Sequence, residues 1–507
     1  MTEAKQLSRQ VERILDEAAG SGLVEVIVQM ESERGRSSRL AQAAGEALSR
    51  RRLSLTPRDL LPGRYDKAPT KQVRQETAST RTLLGKATAE TLGLARIQKI
   101  GRSRMNPLLK SGVVRAALDR MLEPTRKSAK AKSQPSQFWT SRAMPLRLER
   151  DELKKLSEEV SNIKSIHLNR RLSVPTMMET RKLQIEAEEI LVSTWGLEQI
   201  KALAAWGAYG ARGKGVTIGL LDTGADASHP DLQGKVAPWA EFDSLGNKVA
   251  GSTPHDSDEH GTHCAGTLVG GNASGRFIGV APEATLAAAL VLNGEEGGTD
   301  AQVLAGIDWA VETGVDVISL SLGGLVMDVE TPPTYTEAIL TCIERGIPVV
   351  AAIGNEGQQT TGSPGNDLFA LSVGATDPRS RVAGFSGGRT QIIRESDYID
   401  PKYLPLPYSK PDLSAPGVAI YSSVPGGEWK SFNGTSMATP HVAGAIALLL
   451  SATSIRDKET GAHRAYLIQD LICGSVEDLG ESGQDHRYGF GRLDVLRAID
   501  FARARGY

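Results

Sequence analysis

Three short stretches of this 507-residue chain supply a carboxylate, an imidazole and a hydroxyl. They are Gly219-Leu220-Leu221-Asp222-Thr223-Gly224, His260-Gly261-Thr262-His263 and Gly434-Thr435-Ser436-Met437-Ala438-Thr439-Pro440. Each reactive type sits beside glycine or small residues that let another backbone come close. A serine hydroxyl is a poor nucleophile at neutral pH. It needs a base to take its proton, and the base needs an anion to fix its tautomer and stabilise the imidazolium. Asp222, His260 and Ser436 supply these parts in one of the three chain orders known for the constellation. The chemistry they imply is acyl transfer. Two other readings compete. Leu-Asp-Thr-Gly also serves paired-carboxylate chemistry, but that needs a second Asp-Thr-Gly and leaves the His and Ser stretches without a role. His260 and His263 could hold a metal, yet Glu259 is not in the His-Glu-x-x-His arrangement that zinc hydrolysis uses.

The elements that must position these residues are legible from apolar runs. Val216 to Leu221 is a short run ending at Asp222-Thr223-Gly224, as expected of a buried parallel strand. Similar runs occupy 284–292, 315–322, 347–353 and 369–373, with helical patterns at 300–313 and 334–345 between them. Strand–helix alternation predicts an α/β fold with a doubly wound, mostly parallel sheet. Ligands bind such sheets beyond the carboxyl ends of the strands, and Asp222 and Asn355 both fall just after a predicted strand.

The stretches 218–224, 260–267 and 434–440 resemble the three active-site signatures of the subtilisin-like serine proteases, the subtilases, and the resemblance runs from about Trp195 to about Ala498. It implies serine endopeptidase activity on peptide or protein substrates. It also assigns a role to Asn355 in Ala351-Ala352-Ile353-Gly354-Asn355-Glu356-Gly357: its side-chain NH₂ and the Ser436 backbone N–H would stabilise the negative oxygen of the tetrahedral intermediate. Ser321, Leu322 and Gly323 resemble one strand that pairs with a peptide, and 292–298, with Leu292 and Glu295, resembles the strand on the other side. Gly323, Ala352, Gly354 and Gly362 would leave a roomy first pocket with Glu356 at its rim. Glu295, Glu296, Asp300 and Glu356 suggest a preference for Arg or Lys near the cleavage point. Many relatives bind a structural calcium, and Asp231 matches one ligand. Ala273 stands where an oxygen ligand is expected, so a calcium site is doubtful and no cofactor is called for.

Composition bounds the rest. Net charge is −1, which gives no global pull toward nucleic acid or a membrane. Three cysteines are too few for a disulfide framework. The opening residues show no apolar core of a secretory signal and no stretch is expected to span a bilayer, which points to a cytoplasmic, prokaryotic enzyme. Residues 22–30 read as a strand, 143–148 as another, 150–160 as an amphipathic helix and 163–168 as a third strand. A small unit of this kind ahead of a subtilase domain resembles the family's inhibitory propeptide. The expected division is a propeptide domain at 1–177, a linker at 178–194 and the catalytic domain at 195–507, with self-cleavage at Pro175-Thr176-Met177-Met178.

Within the first part, 34–137 is helix-rich and basic, with about two dozen Lys and Arg against about eight Asp and Glu. Helical spacing appears at 82–100 and 111–122. Three partners fit such an insert: the acidic protease body itself, nucleic acid, or an activator protein. Tyr65 is its single aromatic residue, which argues against stacking on single strands. The two overall readings are therefore a self-processed zymogen and a protease switched on by a partner at the insert without propeptide removal.

Overall fold

The computed structural model describes residues 3–18, 22–31, 41, 45, 94–95, 98–126, 136–174, 178–179, 192–330 and 333–507. Most of the basic insert, including most of 82–100, and Pro175, Thr176 and Met177 lie outside them. The chain divides into two units, Met1–Ser32 with Leu55–Leu168, and Glu33–Ser54 with Asn169–Tyr507. This division falls at Leu168, ahead of the expected 177.

The first unit is built on α1 (Glu3–Glu17), β1 (Leu23–Met30), α2 (Gly112–Arg126), β2 (Ala143–Glu149), α3 (Arg150–Glu159) and β3 (Ile163–Leu168). Its sheet is antiparallel in the order β2-β1-β3, with Val26 opposite both Leu146 and Leu168. Alternate side chains of β1 and β2, among them Val24, Val26, Val28, Leu146 and Leu148, are buried with Leu153 and Leu156 of α3. A capping box starts α3: the Glu149 carboxylate meets the N3 amide, and Glu152 accepts from the Glu149 N–H at 2.8 Å. Glu152 also pairs with Arg120, which ties α3 to α2. The three expected strands and the helix at 150–160 are all present. Helix α1, which the sequence reading passed over, adds Val11, Ile14 and Leu15 to the core.

The second unit holds β4 (Arg171–Leu172), β5 (Thr217–Asp222), β6 (Val236–Glu241), α4 (His260–Val269), β7 (Thr285–Leu290), β8 (Gly297–Thr299), α5 (Asp300–Thr313), β9 (Val317–Leu320), α6 (Thr336–Glu344), β10 (Val349–Ala352), β11 (Leu371–Thr376), β12 (Leu413–Pro416) and α7 (Thr435–Ala452). Seven strands form one sheet in the order β12-β11-β10-β9-β5-β7-β6, with neighbouring pairs parallel. The chain leaves β5 toward one side, builds β6 and β7, and then crosses to build β9 on the other side. The order reverses at β5, and this opens a crevice at its carboxyl end.

Apart from the edge strand β6, the strands are buried on both faces, which is why most of them read as continuous runs. Helices α4 and α7 pack together, as do α5 and α6, and α7 lies against β9, β10, β11 and β12. Long and apolar enough to cross a membrane by length and composition, α7 is instead 89 % buried here. The reading that no stretch had that length overlooked it, because Ser436, Thr439, Pro440 and His441 break up its first half.

Candidate active site

Asp222 is the last residue of β5 and His260 the first of α4, and both side chains are fully buried. His260 Nδ1 lies 2.6 Å from Asp222 Oδ1. Two glycines make this approach possible. A Cβ on Gly224 would sit 2.1 Å from His255 O, at φ +115°, and one on Gly261 would sit 2.1 Å from Gly224 O. No side chain fits either gap, so Asp-Thr-Gly and His-Gly carry glycine where the two segments cross.

Threonines lock the crossing. Thr223 Oγ1 accepts the Gly261 N–H at 2.8 Å and donates to Asp256 Oδ1 at 2.7 Å. Asp256 Oδ2 accepts from the Thr262 N–H and Oγ1, each at 2.6 Å. Burial raises the Asp256 pKa against these donors. The sequence reading missed Asp256. Nothing in its His-Asp-Ser-Asp-Glu setting separates a buried brace from a solvated acidic loop.

Ser436 lies in the first turn of α7, and its Oγ donates to Ser321 O at 3.2 Å. Ser321 Oγ in turn donates to Ser436 O at 2.8 Å. Among the described residues, His260 Nε2 and Asp222 Oδ2 have no hydrogen-bond partner. Burial alone would pull the His260 pKa down. The Asp222 charge, helped by Cys264, outweighs it and leaves the ring well above its ordinary 6.5. Cys264 Sγ is 3.9 Å from His260 Nδ1, and burial pushes that thiol up, away from thiolate. Asp222, His260 and Cys264 form a compact trio of possible ligands, but the ring nitrogen facing the other two is already bonded to Asp222. His263 turns away, its Nε2 on the carbonyls of Ile420 (2.9 Å) and Lys430 (3.2 Å).

Asn355 follows β10. Its Oδ1 accepts from the Thr435 N–H at 2.8 Å and from Thr435 Oγ1 at 2.9 Å, which fixes the amide with its NH₂ outward. That Nδ2 and the Ser436 backbone nitrogen lie 3.5 and 3.6 Å from where a Gly434 Cβ would stand, so both flank the same small space. Thr435, which aims the amide, was not singled out from sequence.

Two edges flank the segment at 171–173. Gly323 bridges antiparallel to Ser173, so the edge at 321–323 faces an extended segment. On the other side the facing strand is β8, whose Gly298 and Thr299 pair with Leu172 and Arg171 of β4. Leu292 pairs with the inner side of Gly298 and is buried, one strand back from the cleft. The reason is the one-turn helix Gly294–Glu296, which folds 292–298 into a hairpin that a single extended run could not reveal.

Cβ positions built on Gly323, Gly354 and Gly362 fall among one another's backbones: Gly323 is 3.6 Å from Gly362 Cα and Gly354 is 3.1 Å from Gly362 N. A Cβ on Gly365 would lie 2.0 Å from Ala352 O and 3.2 Å from Gly362 O, so Ala352 borders the same backbones. Leu322 is buried. Glu356 is exposed and accepts the Asn355 N–H at 2.9 Å. Glu296 is exposed and accepts from Asn293 Nδ2 at 3.0 Å, while the Glu295 side chain lies outside the description. Asp300 is fully buried and paired with Arg170. At the doubtful calcium position, Asp231 accepts from the Ala273 N–H at 2.8 Å and Trp429 Nε1 at 2.7 Å. Arg276 stacks on the Tyr421 ring at 3.9 Å.

Comparison with known proteins identifies the family. The family model described as "Subtilase family" matches residues 213–491. Subtilisin of Bacillus pumilus is 38 % identical over 313 residues, which cover 60 % of this chain and 98 % of that protein. Subtilisin E of Bacillus subtilis (strain 168) is 38 % identical over 313 residues, 60 % of this chain and 70 % of its own. The intracellular serine protease of Paenibacillus polymyxa is 38 % identical over 287 residues, 55 % of this chain and 79 % of its own.

Proposed function

Because this chain belongs to the subtilase family and is a subtilisin-like serine endopeptidase, we propose that it cuts peptide bonds through Asp222, His260 and Ser436 by way of an acyl-enzyme. The observation that carries the reading is the buried 2.6 Å contact between His260 Nδ1 and Asp222 Oδ1, with the far ring nitrogen left unpartnered. Ser436 Oγ turns from Ser321 O to His260 Nε2, gives up its proton there and attacks the substrate carbonyl. Asp222 holds the ring in the Nδ1–H tautomer and stabilises the imidazolium. The Asn355 NH₂ and the Ser436 N–H take the oxyanion. His260 then returns its proton to the leaving amine, and water releases the acyl group by the reverse sequence. Stoichiometric labelling by a fluorophosphonate at Ser436, lost in Ser436→Ala, is the expected result. A chain that hydrolyses peptides equally well as Ser436→Ala sinks the assignment.

We further propose that the enzyme is made as an autoinhibited, self-processed zymogen. In support, Arg171, Leu172 and Ser173 pair with both walls of the cleft as a product-like strand would. Met178 and Glu179 then pair with Asn433 and Phe432, just ahead of Ser436. The bond cut in processing lies between Ser173 and Met178, in keeping with the Pro175–Met178 site. Mass spectrometry of the purified protein tests this. Wild type shortens and Ser436→Ala stays whole, and equal shortening of both refutes self-processing. The intracellular proteases among its relatives support a cytoplasmic place of action.

A further inference from the structure

The segment lying along the cleft is held by side chains as well as by main-chain pairing: Leu172 is buried, Asn169 bonds Ser244 O and the Ala301 N–H, and Arg170 makes an ion pair. Arg170 Nε and Nη2 fork onto Asp300 Oδ2 and Oδ1 at 2.8 and 3.2 Å, and Tyr335 Oη donates to the same Oδ1 at 2.5 Å. Arg170 Nη2 also donates to Ser363 Oγ at 3.4 Å. The backbones of Arg170 and Asp300 close the arrangement: the Arg170 N–H donates to Asp300 Oδ2 at 3.2 Å and the Asp300 N–H to Arg170 O at 3.1 Å. Asp300 and Tyr335 are buried, Asp300 as the first residue of α5 and Tyr335 just ahead of α6. Both belong to elements of the protease body.

The pairing of 171–173 with β8 and Gly323 is ladder hydrogen bonding, which any sequence can make. Asp300 is different because it reads a side chain. A carboxylate withdrawn from water needs a cation or several donors, and a planar fork matches its two oxygens better than an ammonium does. When the segment leaves, Asp300, Tyr335 and Ser363 are left as a receptor for another such fork.

We propose that Asp300, oriented by Tyr335 and flanked by Ser363, is a specificity-determining subsite that takes an arginine side chain of the substrate. The arginine lies three residues N-terminal to the residue pairing with Gly323, as Arg170 does to Ser173. The proposal rests on the reading of this cleft as the peptide-binding site. In antiparallel register the residue two beyond the Gly323 partner faces Ser321, whose carbonyl accepts from Ser436 Oγ. The arginine therefore stands five residues upstream of the residue that faces Ser321. Basic preference shifts from the cleavage point, where Glu296 and Glu356 are exposed to water, to this distant and dry carboxylate.

The test uses wild-type protein whose N-terminal shortening is complete by mass spectrometry and whose Ser436 labels stoichiometrically with a fluorophosphonate, together with three fluorogenic peptides. Two are identical except for Arg or Gln at that upstream position, and the third is truncated before it. A charge-assisted fork should give the Arg peptide about 10- to 100-fold higher kcat/KM than the Gln peptide. Asp300→Asn should bring the ratio close to one, and Tyr335→Phe, which keeps the carboxylate, should lower it part of the way. Equal kcat/KM for the two long peptides in wild type overturns the subsite whatever the variants do, as does an undiminished ratio in Asp300→Asn. If the truncated peptide is cut and the ratio is one, only the subsite falls. If none of the three is cut, the peptidase reading falls with it.

Discussion

Replacing Asp222 by Asn tests the proton route with little change in shape. The carboxylate now does two things through one oxygen: Oδ1 accepts from His260 Nδ1 at 2.6 Å and from the Thr223 N–H at 2.8 Å. When the ring takes the serine proton, it becomes a cation facing an anion at that distance. Two unit charges 2.6 Å apart attract by about 6 kcal/mol at an effective dielectric near 20. At about 1.4 kcal/mol per tenfold, losing that attraction costs roughly four decades in turnover. The same scale, about 10⁴, is known for the equivalent change in another serine protease. The acid limb should move as well. With Asp222 present the His260 pKa stands well above 6.5, so the neutral ring, which is the active base, is lost already above that pH. Asn removes the raising charge and leaves burial, which lowers the pKa, so the limb shifts to lower pH. The assay is kcat/KM on a fluorogenic peptide across the pH range, with labelling at Ser436 to count competent sites. A loss below tenfold with an unmoved acid limb would refute the reasoning.

Removing the Asn355 amide (Asn355→Ala) should cut kcat by about 10² to 10³, the range found for the corresponding donor in a subtilisin, with KM nearly unchanged; an equal rise in KM alone would count against it. Lys410 is fully buried, with Nζ 2.7 Å from both Asp412 Oδ2 and Ala370 O, so Lys410→Met strands a carboxylate and should cost about 3–5 kcal/mol in urea unfolding. His263 and His441 are pulled down by burial to about 3 and about 4. Because unfolded histidine titrates near 6.5, the unfolded chain binds more protons below that pH. The stability these rings lend is present above pH 6.5 and lost as pH falls, by up to roughly 1.4 kcal/mol per pH unit for each. Urea midpoints that do not drop between pH 6.5 and 5 would contradict this. Calcium seeks six to eight oxygens, whereas both Asp231 oxygens already accept N–H groups. Chelation with EDTA should leave Tm unchanged, and a large fall would show that a metal is bound there.

What could be read from the sequence, and what could not, follows from the range of the forces involved. Strand and helix positions were legible because burial on both faces writes apolar runs into the chain, and 300–313 came out residue for residue. Asp222, His260 and Ser436 could be named because the glycines their segments need where they cross lie beside them. Helix α1 hid behind its charged residues, although Val11, Ile14 and Leu15 carried the spacing. Strand β8, Gly-Gly-Thr, has no periodicity to find, and so the wall of the cleft was first drawn through Leu292. Asp256, Thr435 and the Arg170–Asp300 fork act across 6, 80 and 130 positions. Their partners are chosen by the fold, and nothing local marks them.

A strand tied by its own chain to the groove it fills meets that groove at an effective concentration of order millimolar, whatever the volume of the vessel. Diluting such a molecule does not open it, and a competing peptide must beat a rival that never diffuses away. One chain break changes the regime. The strand becomes an ordinary ligand that can wash out or be digested, and the release then runs in one direction only.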